Sequence, residues 1–421
     1  MPYFKRYIDD DVKALLKNNC FVFLSGPKGC GKTTTAHKQA LFTLDLSNSI
    51  NREKFSILGA NHSDLLLSDT SPILIDEWQH EPLILELAKK EIDDSAPCKQ
   101  FILTSSISTD ICHDDPFKID SKDIAKLTMH TMSLFESNAS NGAVSLNSLF
   151  EKPKVFARSS LKIGDIAYLA CRGGLPDTLN QDKDKALQIA KNYVEDLLNI
   201  QINTLKGRKK KIDTSRLALK ALACFIGTQT SLSKIAKDIS LSKKLTDETL
   251  STYLTALKKI YVVENSKAFV PYLKSKTAIR TTDTWYFNDP AIACVALGIT
   301  PLNYLDDIGL FHRIIKNLCI RDLRVYAEVN GGTVNHYRDK TGLECDAVVA
   351  LRNGKYGLIE IKLGGPKQVE EGANNLNKLE SLIDDTRMEK PSFKMVLTAI
   401  DDIAYQRQDK VYVVPIGCLS A

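Results

Sequence analysis

The chain has 421 residues, a formal net charge of +5, 43% hydrophobic and 25% charged residues, which gives enough sequence for two to four domains with cores of their own and excludes a disordered or fibrous chain. No apolar run approaches the roughly 18 residues of a membrane span, and the first residues lack the apolar stretch of a signal peptide. Ten scattered cysteines without a C-x-x-C pair speak against a zinc site and for a reducing compartment, so the reading is a cytoplasmic protein.

In chain order, alternating acidic and apolar residues over 8–17 predict a short helix. Residues 20–24 are a short apolar run and predict a buried strand. The strand leads into Gly26-Pro27-Lys28-Gly29-Cys30-Gly31-Lys32-Thr33, which fits the pattern G-x-x-x-x-G-K-[ST]. Thr34 and the residues after it read as a helix start. Strand, glycine-rich turn and helix N-terminus together cradle a phosphate, because backbone N–H groups and the positive helix end face the anion. Gly26, Gly29 and Gly31 let the backbone curl toward it. Lys32 is then placed for the β- and γ-phosphates of a nucleoside triphosphate, and Thr33 for Mg2+.

Residues 41–46 predict a second strand and 72–77 a third, in which three apolar residues end in Asp76 and Glu77. Such a strand end places Asp76 to hold Mg2+ and Glu77 to orient or deprotonate an attacking water. Residues 100–106 predict a fourth strand ending in Thr104, Ser105 and Ser106. Ligands of an open parallel sheet sit at its carboxyl ends, so these hydroxyls are candidates for contact with the γ-phosphate or the water; an ordinary polar turn is the alternative.

Taken together, Leu74-Ile75-Asp76-Glu77-Trp78-Gln79 with Pro82, the run 102–106, Met132-Ser133-Leu134-Phe135-Glu136-Ser137, Gly142 to Leu146, and Leu149-Phe150 resemble a group of bacterial and archaeal AAA-like ATPases. Those proteins join an AAA-type ATPase to a C-terminal domain of no settled function. The resemblance implies ATP rather than GTP, Walker B roles for Asp76 and Glu77, and a sensor position at Ser105 or Ser106. It leaves an oligomer and a protein partner open. The chain departs from the family at Ser105, where the residue before the sensor serine is usually Gly, and at His130, near which an Arg is usual.

A helix is predicted over 165–172, stopped by Gly173, Gly174 and Pro176. By resemblance Arg172 is a sensor arginine at the γ-phosphate; the other reading is a helix C-terminal cation meeting the dipole. Residues 186–202 have helical spacing. The basic run 206–211 reads as a solvated linker or as a phosphate-binding stretch for DNA. Helices near 217–223, 231–238 and 246–257, followed by a hairpin of 262–265 with 268–270, suggest a winged helix, either reading DNA or packing against protein.

Toward the C-terminus, a helix is expected from Gly309 to about Cys319, then strands over 324–328 and 334–338. Residues 343–349 and 356–362 alternate on either side of Asn353-Gly354, a strong hairpin signal. Period two puts Glu344 and Asp346 on one face and also puts Glu360 and Lys362 together, and the spacing suits a hairpin that brings Asp346 and Glu360 to one site. Asp346 followed by Glu360-x-Lys362 resembles the PD-(D/E)xK nuclease core, which implies Mg2+ on Asp346 and Glu360, a Lys362 that positions the nucleophile, and DNA or RNA as substrate. His312 stands where relatives often carry Glu, and imidazole is a poor substitute for carboxylate around a hard cation; a nuclease-like domain that binds without cutting is the rival reading.

The expected architecture is a multidomain α/β protein: a P-loop ATPase domain at 1–160, a helical lid and basic linker at 161–212, a winged-helix-like domain at 213–284 and a nuclease-like α/β domain at 285–421. Three functions follow: an ATPase coupled to nucleic acid or a partner protein, an ATP-gated Mg2+-dependent endonuclease, and an ATP-dependent interaction switch with little hydrolysis.

Overall fold

The computed structural model describes residues 3–58, 70–93, 99–108, 124–201, 212–239, 246–274, 279–280 and 282–421. The basic run 206–211 and the end of the helix expected to reach Ile202 lie outside them. The chain divides into two compact units, Met1–Thr131 with Lys258–Tyr261, and Met132–Leu257 with Val262–Ala421. Both mix helices and strands, so the protein is a multidomain α/β chain. The structural division at 131/132 comes before the sequence boundary at 160.

The first unit contains α1 (Ile8–Leu16), β1 (Phe21–Ser25), α2 (Lys32–His37), β2 (Phe42–Asp45), α3 (Ser49–Leu58), β3 (Ile73–Asp76), α4 (Ile84–Asp93), β4 (Phe101–Ser105) and β5 (Ile124–Thr128). Its five strands lie in the order β2-β3-β4-β1-β5 and every pairing is parallel. Both faces of the sheet are covered, which is why its inner strands β1, β3 and β4 are continuous apolar runs rather than alternating ones. Phe21 and Phe23 of β1 pack on one face with Ile73, Ile75, Leu103 and Trp78. Val22 and Leu24 pack on the other with Val12, Leu16, Ala36 and Met129. Cys20 is disulfide-bonded, which the reading of a reducing compartment did not anticipate, while seven other described cysteines are free.

The second unit opens with β6 (Val144–Ser145), β7 (Phe156–Arg158), α5 (Ile163–Arg172), α6 (Lys183–Asp196), α7 (Ile212–Cys224) and α8 (Leu232–Ile239). The helix α9 (Asp247–Lys259) then runs into residues grouped with the first unit. The chain continues with β8 (Val263–Ser266), β9 (Thr284–Phe287), α10 (Pro290–Leu297), α11 (Ile308–Glu328), β10 (Thr333–Arg338), β11 (Glu344–Ala350), β12 (Tyr356–Lys362), α12 (Pro366–Leu382), β13 (Phe393–Thr398), β14 (Ile403–Gln406), β15 (Val411–Pro415) and β16 (Leu419–Ser420). Seven strands form one sheet in the order β10-β11-β12-β13-β15-β14-β7. Its middle, β12-β13-β15, is parallel; β10, β11 and β14 run antiparallel to their neighbours.

Three sequence expectations change here. The segment 324–328 is the last turn and a half of α11, not a strand. No Gly or Pro interrupts α11 beyond Gly309 in its first turn, and its second half is buried almost all round, so burial hides the period that would mark it as helix. The wing hairpin does not form between 262–265 and 268–270. Instead β8 pairs antiparallel with β9, whose residues are all buried, and Ala268 bridges to His336. The aromatic run Trp285-Tyr286-Phe287 buries its side chains in this pairing, whereas Val270 is left 61% exposed. Finally, β6 and β7 fall within the stretch 1–160 yet pair with β16 and β14 near the C-terminus. Among the described residues no helix is long and apolar enough to cross a membrane.

Candidate functional site

The carboxyl ends of β1, β3 and β4 bring one set of polar side chains together in the first unit. The loop after β1 carries three glycines with positive φ, Gly26 at 152°, Gly29 at 76° and Gly31 at 106°. A Cβ on Gly26 would lie 2.2 Å from the Met129 carbonyl oxygen, so only glycine lets the loop pass the end of β5. Pro27 and Cys30 are buried, whereas Lys28, Gly29, Thr33 and Thr34 are open to solvent. The buried Lys32 folds back and donates to the carbonyls of Gly26 and Pro27 at 2.9 and 3.0 Å.

Thr33 at the start of α2 donates to both carboxylate oxygens of Asp76, at 2.8 and 3.0 Å. Thr104 at the end of β4 donates to Asp76 Oδ1 at 2.5 Å. Burial raises the Asp76 carboxyl above its ordinary value, against the pull of these two hydroxyls. Glu77 has a left-handed backbone, φ 53°, and its N–H donates to Thr104 Oγ1 at 2.9 Å. Its Oε2 accepts from Ser106 Oγ at 2.7 Å, from Ser106 N at 3.2 Å and from Gln79 Nε2. Burial works against the Glu77 charge, but the Lys32 ammonium, Ser106 and Gln79 outweigh it and hold the carboxyl below the ordinary carboxylate range. Glu77 is therefore ionised at neutral pH.

Of the two sensor candidates, it is Ser106 that touches Glu77. Ser105 turns into its own bend, donating to Ile107 O at 2.8 Å, and its carbonyl accepts from Gly26 N at 3.2 Å. Two contributors were missed from the sequence. Gln79 holds Glu77, and its Oε1 is buried without a partner; its place one short turn past Glu77 was the available signal. Arg6, only 4% exposed, donates to Cys30 O and to His130 O, both at 2.8 Å. It thereby ties the phosphate loop to the segment after β5. An isolated Arg before the first helix carries no sequence signal for this.

Arg172 belongs to the second unit and is engaged there. Its Nε donates to Gly173 O at 3.1 Å and its Nη2 to Ser137 Oγ at 3.1 Å. Nearby, Asp289 caps α10 through Ala291 N at 2.9 Å and accepts from Gly174 N at 2.7 Å. The two glycines are required by these approaches: a Cβ on Gly173 would meet Asp289 Oδ1 at 2.3 Å, and one on Gly174 would meet Met132 O at 2.2 Å.

The C-terminal candidates also converge. Ala347 pairs with Ile359 across β11 and β12, so Asp346 and Glu360 face each other one pair further along. Asp346 accepts from Lys316 of α11 at 2.5 Å and from Ile361 N at 2.8 Å. Burial opposes its charge, but Lys316 and then Lys362 hold it below the usual range. Glu360 pairs with Lys362 at 2.7 Å. Burial, then the Asp346 charge, push Glu360 up to about 8 against the pull of Lys362. Glu344 stands apart, 3.6 Å from Arg338.

Two family profiles match parts of the chain, each described as a domain of unknown function: DUF8612 over residues 163–303 and DUF4143 over 312–419. Neither spans half of the chain. No curated protein matches it. Among solved structures the chain is similar to the Walker-type ATPase of Pyrococcus abyssi, at 15% identity, 70% of this chain, 96% of that one and a TM-score of 0.42. It is also similar to the Aeropyrum pernix ORC1 protein in complex with DNA, at 12% identity, 71% and 94% coverage and a TM-score of 0.27. Likenesses this distant leave the assignment to the site itself.

Proposed function

We propose that the first unit binds ATP with Mg2+ and hydrolyses it. The observation that carries this reading is the convergence of the loop 26–33 with Asp76 and Glu77 at one end of a parallel sheet. The choice of ATP rests on the family resemblance. The donor set suits Mg2+, since Thr33 Oγ1 and the Asp76 carboxylate are adjacent oxygen donors of the kind a hard cation takes. Mg2+ bound there supplies charge neutralisation on the phosphates.

The chain's own residues do the rest. Open N–H groups of the loop and the start of α2 bind phosphate oxygens. Lys32 exchanges the Gly26 and Pro27 carbonyls for the phosphates, which costs it two neutral acceptors and gives it an anionic one. Glu77, ionised and with only Oε2 committed to Ser106 and Gln79, keeps Oε1 to accept a proton from water. General-base assistance of this kind contributes about 10²–10⁴ in rate. Coupling of turnover to DNA or to a partner protein is part of the proposal, and the DNA arm is read by the same assay.

The test is steady-state ATP hydrolysis with Mg2+, with and without duplex DNA. Lys32→Ala is expected to lose nucleotide binding. Glu77→Gln is expected to bind normally and to turn over about 10²–10⁴ times more slowly. Full turnover in both variants refutes the assignment, and tight binding without turnover in the unaltered protein leaves the interaction switch in its place.

A further inference from the structure

The Mg2+ centre that resemblance implies for β11 and β12 does not fit the side chains present. We propose that the Lys316 ammonium occupies the position a divalent cation needs against Asp346, so that this acidic cluster is closed to metal and the domain does not cut nucleic acid. The inference is independent of the ATP site.

Four observations carry it. Three of the four carboxyl oxygens of the pair are already engaged: Asp346 Oδ1 by Lys316, Asp346 Oδ2 by Ile361 N, and Glu360 Oε2 by Lys362. The fourth, Glu360 Oε1, is without a partner but is shut away from solvent. A hard divalent cation takes six or more oxygens, and two of the three committed ones are held by ammonium groups. Next, two ammonium groups face two carboxyl groups, so the cluster has no surplus negative charge to hold a 2+ ion.

Third, the helix that approaches the cluster directs a cation, not a carboxylate, at Asp346. His312 and Lys316 are one turn apart on α11 and so share a face. His312 Nε2 lies 3.0 Å from the Ile361 carbonyl. A carbonyl accepts only, so that nitrogen carries the proton and donates, and it is lost as a ligand. Lys316 is the residue that reaches Asp346. Among the described residues, no three His, Cys, Asp or Glu side chains are grouped to hold a metal. Fourth, the approach to Asp346 is a cavity of about 40 Å³ lined by Lys316, Arg338, His336 and Glu344 as well as Asp346. It has room for water; Arg338 there is paired with Glu344, and the charge facing Asp346 is the Lys316 ammonium.

The experiment is Mn2+ titration of the full chain without nucleotide, followed by the loss of the free-ion EPR signal. The set is the unaltered protein, Asp346→Asn, Lys316→Ala, Lys316→Met, and each Lys316 variant combined with Asp346→Asn. The methionine keeps the length of the stem in case alanine does not fold. The unaltered protein and Asp346→Asn are expected to give the same titration. At least one Lys316 variant is expected to take up one further Mn2+ per chain, with affinity at least tenfold weaker once Asp346→Asn is added. Mn2+ uptake by the unaltered protein that Asp346→Asn removes overturns the proposal. So does the failure of every folded Lys316 variant to gain Mn2+, and so does DNA or RNA cleavage that disappears in Asp346→Asn.

Discussion

Truncating Arg6 is the sharpest perturbation of the first unit, because one side chain holds two separate pieces of backbone. Its guanidinium donates to Cys30 O in the phosphate loop and to His130 O beyond β5, each at 2.8 Å and out of solvent. Arg6→Ala removes two charge-assisted donors and leaves two buried carbonyls short of one partner each. An unsatisfied buried acceptor costs about 1–3 kcal/mol, so the pair sums to roughly 2–6 kcal/mol. Water entering the emptied space repays part of that, and the expected loss is about 2–4 kcal/mol. Arg6→Lys keeps the charge but reaches one carbonyl, and should lose about half as much. The chain's two tryptophans fall one in each unit, Trp78 and Trp285. In a Trp285→Phe background, urea unfolding followed by fluorescence therefore reports the first unit. The midpoint should fall with the slope unchanged, the signature of lost stability without a change in exposed area. Re-forming the loop in its binding shape at about 1.4 kcal/mol also weakens ATP tenfold. A midpoint within about 0.5 kcal/mol of the parent, together with unchanged ATP affinity, refutes the reasoning.

Three further outcomes are expected. Gln79→Ala should lower kcat by about tenfold or more with ATP affinity unchanged, because Gln79 hydrogen-bonds Glu77 and Ser106; an equal loss in binding, measured by a fluorescent nucleotide, counts against its role in positioning Glu77. Gly26→Ala should destabilise the first unit by about 2–4 kcal/mol, since φ 152° is strained for alanine and the new Cβ meets Met129 O at 2.2 Å; unchanged urea stability removes the argument. The Glu360 carboxyl is raised by burial and by Asp346 to about 8, so its stabilising contribution is whole below the unfolded carboxylate value and is lost as pH rises through about 8. Glu360→Gln should therefore flatten the decline in second-unit stability between pH 5 and 9, read from Trp285, and a decline that persists unchanged refutes it.

What could be read from the sequence follows the distance over which each interaction acts. The phosphate loop and the pair Asp76–Glu77 are legible because each is a strand end and the few residues after it, and the chemistry fixes their spacing. Glycine at 26, 29 and 31 is a local backbone requirement, so composition alone reveals it. The choice between Ser105 and Ser106 was not legible. The pattern locates the end of β4, but which hydroxyl faces Glu77 depends on how the chain leaves the strand. Arg6 was invisible for a stronger reason: one of its acceptors is a backbone carbonyl 124 residues away, and a carbonyl leaves no mark in a sequence.

The same distance argument explains the domain boundary. Segment 132–160 follows the first-unit strands directly, and nothing in its composition breaks there. Its partners lie at the far end of the chain: Arg158 meets Asp402 at 3.1 Å, Phe156 pairs with Tyr405, and Val144 pairs with Leu419. Inside it, Leu134 N donates to Asp322 Oδ2 at 2.9 Å. Asp322 is itself held by Arg321, and both are shut off from solvent. Removing one partner of such a pair costs about 3–5 kcal/mol, because the other charge is left buried. The run Met132–Ser137, read as a family motif, is thus the strand of backbone that completes a buried ionic cluster on α11. The second unit accordingly needs residues from both 132–160 and 285–421. A chain cut at 160 should give a C-terminal fragment that lacks β6, β7 and the amide on Asp322. That fragment is expected to be insoluble or loosely packed by near-UV circular dichroism, while one starting at Met132 keeps a cooperative transition. Equal cooperativity in the two fragments would show that the 132–160 segment is dispensable to the fold.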